Sequence, residues 1–299
     1  MTSAGTRTPV AFVTGASGRL GEEVVTLLLQ RNHTVVAGSR NPSRIAHLAK
    51  LGAEVRRVDF DDEADEIARA FQGAERLLLI STDELANPGH RIAQQLKAVQ
   101  AARAAGVRQI AYTSMPLPDE ASPVPFAEDH RVTESAIFDS GMQYDILRNG
   151  WYFENLLGLL PFVIRSGVWY TAAGDGRIPY IARRDTALAA VESLAGGMQD
   201  RIVDLAGPEA MTVEDMAAGV RRAYGVDLRV EHVPSGSLFD HLVSQGVDPH
   251  YAPLMIITDI NQQLGRFDVN RDGLTAMTGQ VATSFASFLE KNRDALLVP

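Results

Sequence analysis

The chain contains no cysteine, which excludes disulfides, thiolate metal sites and cysteine nucleophiles within its 299 residues. Lysine is nearly absent as well, limited to Lys50, Lys97 and Lys291. No apolar stretch reaches the length that crosses a bilayer. The opening M-T-S-A-G-T-R-T has no signal-peptide core. A cytoplasmic protein with no membrane partner is therefore expected. The net charge is −9, and no run of basic residues could follow a phosphate backbone, so no nucleic-acid partner is expected. With 45% hydrophobic and 22% charged residues, the composition is that of an ordinary globular protein. Its length allows one large domain or two modest ones.

The most informative stretch lies near the start. Residues 10–13 (V-A-F-V) form a short apolar run rich in β-branched and aromatic side chains, which predicts a strand buried on both faces. Gly15, Gly18 and Gly21 follow at intervals of three, and then an amphipathic helix with Leu20, Val24, Leu27 and Leu28 on one stripe. A dinucleotide pyrophosphate binds where unpaired backbone N–H groups point from a helix N-terminus. Glycine suits the tight turn at 15, the close phosphate approach at 18 and the helix-to-strand packing at 21. Ala16 stands where the commonest fingerprint has its second glycine, so the spacing is G-x-x-G-x-x-G. The plain alternative is a glycine-rich strand-to-helix turn.

The pattern then repeats. Residues 33–38 predict a second strand, 43–51 a helix, 53–58 a third strand, 76–80 a fourth, 88–105 a long helix and 107–113 a fifth strand. Strands and helices alternating at this period imply βαβ units, hence a Rossmann α/β fold with a doubly wound parallel sheet. Ligands of such sheets bind off the carboxyl ends of the strands. Gly15, Arg40, Asp59, Ser81 and Ser114 all fall at those ends. The second strand ends in Ser39-Arg40 rather than the acid that would hold a ribose 2′-hydroxyl, which favours a 2′-phosphate and hence NADPH, with NADH possible. Arg19 and Arg44 are candidate helpers, and the plain alternative for Arg40 is a solvated side chain. Asp59, beside Phe60, either meets the adenine amino group or caps the acidic helix that begins near Asp62.

A loop with four prolines runs over residues 115–125, opening with Met115 as a candidate substrate contact. A helix over 126–140 and a strand over 144–147 lead to Arg148-Asn149-Gly150-Trp151-Tyr152-Phe153-Glu154-Asn155. Further expected elements are a helix over 156–165, strands over 168–170, 202–205 and 228–233, and helices from Asp185, from Thr212, over 235–245 and over 281–292. Thr212 and Asp185 are the candidate caps. These elements predict a smaller mixed α/β C-terminal lobe. The expected division is 1–155 for the dinucleotide-binding domain and 156–299 for a lobe interleaved with it.

T-G-A-S-G-R-L-G, S-R-N-P-S-R, R-L-L-L-I-S, A-A-G-V-R-Q-I-A-Y-T-S and L-R-N-G-W-Y-F-E-N together resemble the NmrA-like group of atypical short-chain dehydrogenases, nearest its NAD(P)H:quinone oxidoreductase type 2 branch, with triphenylmethane reductases nearby. The resemblance implies NADPH in the cleft and a planar, electron-poor acceptor beside the nicotinamide. It implies that Gly15, Ser17, Gly18, Arg19 and Leu20 line the pyrophosphate and that Arg40 faces the 2′-phosphate. Ser81 and Thr82 would follow the ribose, with Asn149, Trp151 and Tyr152 near the nicotinamide and substrate.

None of the three lysines lies four residues after a tyrosine, so the Tyr-x-x-x-Lys pair that protonates an alkoxide in ordinary short-chain dehydrogenases is missing. A quinone makes lighter demands: it accepts hydride readily, and the hydroquinone anion can take its proton from solvent or a hydroxyl, so positioning dominates. Trp151 and Tyr152 are candidates for stacking on a planar ring, and Ser114 or Tyr112 for steadying an oxyanion; Tyr152 joins Ser114, Tyr112 and His130 as a candidate catalytic residue. The alternative for Trp151 and Phe153 is a place in the core. His130 and Glu134, four apart, form either a helix ion pair or, through His130, a proton donor; their spacing is not a zinc motif. The expected function is an NADPH-dependent reductase of quinones or similar conjugated acceptors, acting as a monomer or homodimer. The alternatives are a dinucleotide-sensing regulator without turnover, and a reductase of a specialised-metabolite intermediate.

Overall fold

The computed structural model describes residues 9–297. The chain runs β1 (Ala11–Val13), α1 (Arg19–Gln30), β2 (Val35–Ser39), α2 (Ala46–Lys50), β3 (Glu54–Arg57), α3 (Ala64–Phe71), β4 (Arg76–Leu79), α4 (His90–Ala104), β5 (Gln109–Ser114), α5 (Ala127–Phe138) and β6 (Gln143–Asn149). It continues with α6 (Leu160–Ser166), β7 (Val168–Thr171), α7 (Arg183–Gly196), β8 (Arg201–Leu205), α8 (Val213–Tyr224) and β9 (Arg229–His232). It closes with α9 (Ser235–Gln245), α10 (Ala252–Gln263), α11 (Gly273–Thr278), α12 (Phe285–Lys291) and α13 (Arg293–Leu296).

Seven strands form one sheet in the order β3-β2-β1-β4-β5-β6-β8. Neighbours from β3 through β6 pair parallel. The chain winds outward in one direction from β1 and in the other from β4, so the switch point, where such sheets bind ligands, lies between these two strands. Central strands β1 and β2 are buried at every residue, as their unbroken apolar runs predict. Edge strand β3 carries Glu54, Arg56 and Arg57, and this charge discourages pairing with another chain.

Packing divides the chain into two units. The first comprises the chain up to Ser114, Glu128–Arg148 and Thr186–Val203; the second comprises Met115–Ala127, Asn149–Asp185 and the chain from Asp204 onward. They interleave more finely than a division near residue 155. The core of the first unit joins Phe12, Leu77, Leu79, Ile110, Tyr112 and Ile146 of the sheet to Ile67, Phe71, Val99 and Ile137 of the helices. Phe12 and Phe71 meet edge to face, with ring centroids 5.0 Å apart. The predicted strand over 202–205 is β8, and it closes the main sheet instead of joining the C-terminal lobe. Arg201 explains part of this: its guanidinium makes two 3.0 Å bonds to the buried Asp145 of β6. Ser193 of α7 donates to the same carboxylate.

In the second unit β7 and β9 pair parallel. Its core gathers Trp151, Phe153, Leu160, Val163, Trp169, Ile178, Met216 and Val220 with Phe285 and Phe288. Phe153 stacks on Phe288 at 5.0 Å and on Phe285 at 5.6 Å. Thr212 caps α8 in a reciprocal box with Asp215, as expected. The predicted helix over 156–165 is instead a 3₁₀ turn (Phe153–Gly158) followed by α6. Pro161 sits in the first turn of α6 and has no N–H to continue a preceding helix. Asp185 is not a cap. It lies buried in the first turn of α7 and accepts from Thr283 N at 2.7 Å and Thr283 Oγ1 at 3.2 Å, pinning the segment before α12.

Candidate functional site

The crest of the first unit is built at the end of β1. Gly15 has φ +59°, a left-handed conformation that a side chain would strain. A Cβ on Gly21 would overlap the Gly15 carbonyl, so the third glycine permits α1 to pack against the turn. Gly18 sits at the N-cap of α1 with no side chain capping the helix. The first-turn N–H groups lack intrahelical acceptors, and Gly15, Gly18 and Arg19 are exposed there. A negatively charged diphosphate fits this open, uncapped end of the helix.

Two threonines that the sequence reading overlooked shape the neighbouring strand ends. Thr14 Oγ1 accepts from Ile80 N at 2.9 Å and donates to Leu78 O at 3.2 Å. Thr113 Oγ1 accepts from Ser81 N at 2.9 Å and donates to Ser81 Oγ at 3.3 Å. These hydroxyls hold the chain as it leaves β4, so Ser81 and Thr82 stand at the strand end beside the glycine turn. Thr82 Oγ1 is buried with no hydrogen-bond partner among the described residues. Buried polar atoms are rarely left unpaired, so a ribose hydroxyl suits this place.

At the end of β2 the Arg40 side chain is 65% exposed, with Asp83 3.7 Å away. It is positioned to meet an anion. Ser39 is not: it is buried, accepts from Asn41 N and donates to Asn41 O, both at 3.1 Å, so its hydroxyl closes the turn instead of facing a cofactor. Asp59, at the end of β3, caps no helix, because α3 begins five residues later at Ala64. Its carboxylate accepts from Asp61 N at 3.2 Å and pairs with Arg57 at 3.3 Å. Phe60 packs into the core, which leaves only its backbone for a ligand.

The proposed catalytic residues of β5 and α5 lie deeper than expected. Tyr112 is fully buried, and its hydroxyl bonds Gln95 Oε1 and His130 Nδ1, each at 2.9 Å. His130 Nε2 meets Arg91 Nη2 at 3.0 Å. A guanidinium only donates, so Nε2 is an acceptor and the neutral ring carries its proton on Nδ1. Burial, then Arg91, holds the His130 pKa well below its usual value, and burial raises that of the Tyr112 phenol. Both residues are therefore held in the core, with the Tyr112 hydroxyl and the His130 ring taken up by Gln95, Arg91 and each other. Ser114 is buried too, donating its hydroxyl to Glu134 Oε1 at 2.6 Å. Arg148 grips the same carboxylate at 3.0 and 2.7 Å. With its proton committed, Ser114 offers an acceptor rather than an oxyanion donor. His130 and Glu134 each find partners off their own helix. Lys97 points away from catalysis, with Nζ donating to Asp62 O at 2.8 Å.

In the second unit, Asn149 Nδ2 donates to Tyr152 Oη at 3.1 Å, while Asn149 Oδ1 is buried without a partner among the described residues. The Arg183 guanidinium lies over the Tyr152 ring, 5.1 Å from its centroid. Trp151 takes the core alternative: its Nε1 donates to Thr258 Oγ1 at 2.7 Å, and its ring meets Phe267 edge-on at 4.9 Å. Met115 is likewise part of that core. Neither presents a face for stacking on a planar substrate. Among the described residues no group of acidic or imidazole side chains could hold a metal ion.

The NmrA-like family matches residues 8–289. Quinone oxidoreductase 2 of Escherichia coli is 36% identical over 277 residues, spanning 92% of this chain and 95% of the relative. The crystal structure of the NADPH-dependent quinone oxidoreductase from Escherichia coli complexed with NADPH superposes with a TM-score of 0.86 at 34% identity, over 94% of this chain and 99% of that one. The Citrobacter sp. triphenylmethane reductase complexed with NADP(H) gives 0.87 at 29% identity, over 94% and 99%. A glycine turn without a helix cap, an arginine at the end of β2 and a match over nearly the whole length agree: the chain belongs to the NmrA-like family.

Proposed function

We propose that the protein is an NADPH-dependent oxidoreductase that reduces a quinone or a similar conjugated planar acceptor. The observation that carries this reading is the open N-terminus of α1 behind the left-handed Gly15, with an exposed Arg40, instead of an acidic residue, directly after β2. The Gly18 N–H closes the turn onto Gly15 O at 2.9 Å, so the main-chain N–H groups of Arg19 and Leu20 in the first turn of α1 hold the diphosphate, Arg40 pairs with the 2′-phosphate, and Thr82 meets the ribose. The reduced nicotinamide, when bound, supplies the hydride. The acceptor gains that hydride and one proton, giving the hydroquinone. Tyr112 and His130, locked in the core, do not deliver the proton, which leaves solvent or the Tyr152 hydroxyl, an acceptor from Asn149, as the source. This suits an acceptor whose reduced anion needs no strong acid. In the second unit Tyr152, oriented by Asn149 and Arg183, is the candidate contact for the acceptor. The names of the Escherichia coli and Citrobacter relatives support the cofactor and the acceptor class. Among the described residues no helix is long and apolar enough to cross a membrane.

Stopped-flow absorbance of NADPH against a panel of benzo- and naphthoquinones tests the reading. Loss of the nicotinamide band that scales with enzyme and quinone is expected. Binding of NADPH with no oxidation by any quinone would favour a dinucleotide sensor instead.

A further inference from the structure

The segment between β3 and α3 is held from outside. Three side chains spaced by four and three residues on α4, hence on one face of that helix, reach it. His90 Nε2 meets Asp61 Oδ1 at 2.8 Å, Gln94 Nε2 donates to the same oxygen at 2.8 Å, and Lys97 Nζ donates to Asp62 O at 2.8 Å. Gln94 is almost fully buried, so its amide is a fixed donor rather than a wandering surface group. Asp61 is thus the hub through which α4 grips the segment. From there its own N–H donates to Asp59 Oδ1, while Arg57 holds Asp59 Oδ2. The orientation of the Asp59 carboxylate follows from the placement of Asp61. The Gln94 bond, and after it His90, keeps the Asp61 carboxyl below the usual carboxylate range despite some burial, so the hub stays ionised at neutral pH.

We infer that Asp61 is a positioning residue for the adenine end of the dinucleotide: anchored on α4 by Gln94 and His90, it aims the Asp59 carboxylate at the exocyclic amino group of the base. The inference rests on the proposed cofactor, and specifically on Asp59 facing the adenine. It gives the His90-Gln94-Lys97 face a role in the selectivity of the site through its hold on Asp61 and Asp62.

The test is calorimetric titration of the full chain with NADPH and with its hypoxanthine analogue, in which a keto oxygen replaces the adenine amino group. Wild type is expected to favour NADPH. Asp61→Ala is expected to weaken NADPH binding about fivefold, the worth of one lost hydrogen bond, and to shift the preference toward equality, with a lowered melting temperature because the buried Gln94 amide loses its acceptor; the ratio of the two affinities, measured on folded protein, is the readout. Asp61→Asn keeps an oxygen for Gln94 and His90 and is expected to stay within about twofold of wild type. Gln94→Ala is expected to move the preference in the same direction as Asp61→Ala. Asp59→Ala abolishes the preference outright. If Asp59→Ala does so while Asp61→Ala and Gln94→Ala retain the wild-type preference, the positioning role is overturned on its own. If Asp59→Ala retains the preference, the placement of adenine at Asp59 falls, and the positioning role with it.

Discussion

Arg40, exposed at the end of β2, is the residue we propose to separate the two coenzymes. A guanidinium at the end of β2 forms charge-assisted bonds to a 2′-phosphate and has no equivalent partner in a bare ribose. Arg40→Ala is therefore expected to weaken NADPH binding about tenfold or more and to leave NADH binding almost unaltered. Quenching of intrinsic fluorescence by each coenzyme reads this directly, and equal losses for both would contradict the assignment. The exposed place of Arg40 at the end of β2 was legible from the strand that precedes it, and the proposed role rests on the acid it replaces. Tyr112, Ser114 and Trp151 were less legible for a physical reason. Position along a strand identifies which residues stand near its end, but not where a hydroxyl proton or an indole edge points. Here Gln95, Glu134 and Thr258, distant in sequence, take up those groups. Ser39 misled in the opposite sense: a hydroxyl beside Arg40 reads as a cofactor donor, yet a local turn to Asn41 claims it.

Helix α10 illustrates structure that periodicity did not disclose. Its sequence A-P-L-M-I-I-T-D-I-N-Q-Q mixes apolar and polar residues without a clean stripe. The polar residues themselves attach it. Thr258 receives Trp151, Asp259 Oδ2 accepts from Thr171 Oγ1 and Ala172 N at 2.7 Å each, and Gln262 donates to Gly176 O at 2.7 Å. Desolvation pushes the Asp259 pKa up to about 6, opposed by these two hydrogen bonds and by His232. A carboxyl raised above its unfolded value of about 3.9 adds stability while it is protonated and loses that contribution as pH rises through the folded value. Asp259→Asn, which never ionises and keeps an acceptor oxygen, should therefore gain on wild type in melting temperature between pH 5 and pH 7.5. A difference that does not vary with pH would contradict the burial argument. Elements governed by apolar runs were the readable ones, namely β1, β2, β4 and α1. β8 was readable as a strand, but its place in the main sheet, fixed through Arg201 and the distant Asp145, was not.

At the scale of the whole molecule, the alternation of strands and helices was sufficient to identify a doubly wound parallel sheet, because buried strands and capped helices are written locally. The interleaving of the two packed units was not, because Thr186–Val203 returns to the first unit through tertiary contacts alone. The central claim concerns the first unit: a dinucleotide lies across its strand ends, with its diphosphate on the first turn of α1. Isothermal titration of the wild-type chain with NADPH, and then with NADH, tests this most directly. Saturable binding of one NADPH per chain, tighter than that of NADH, is the predicted result. No heat from either reduced coenzyme, or tighter binding of NADH, would contradict it.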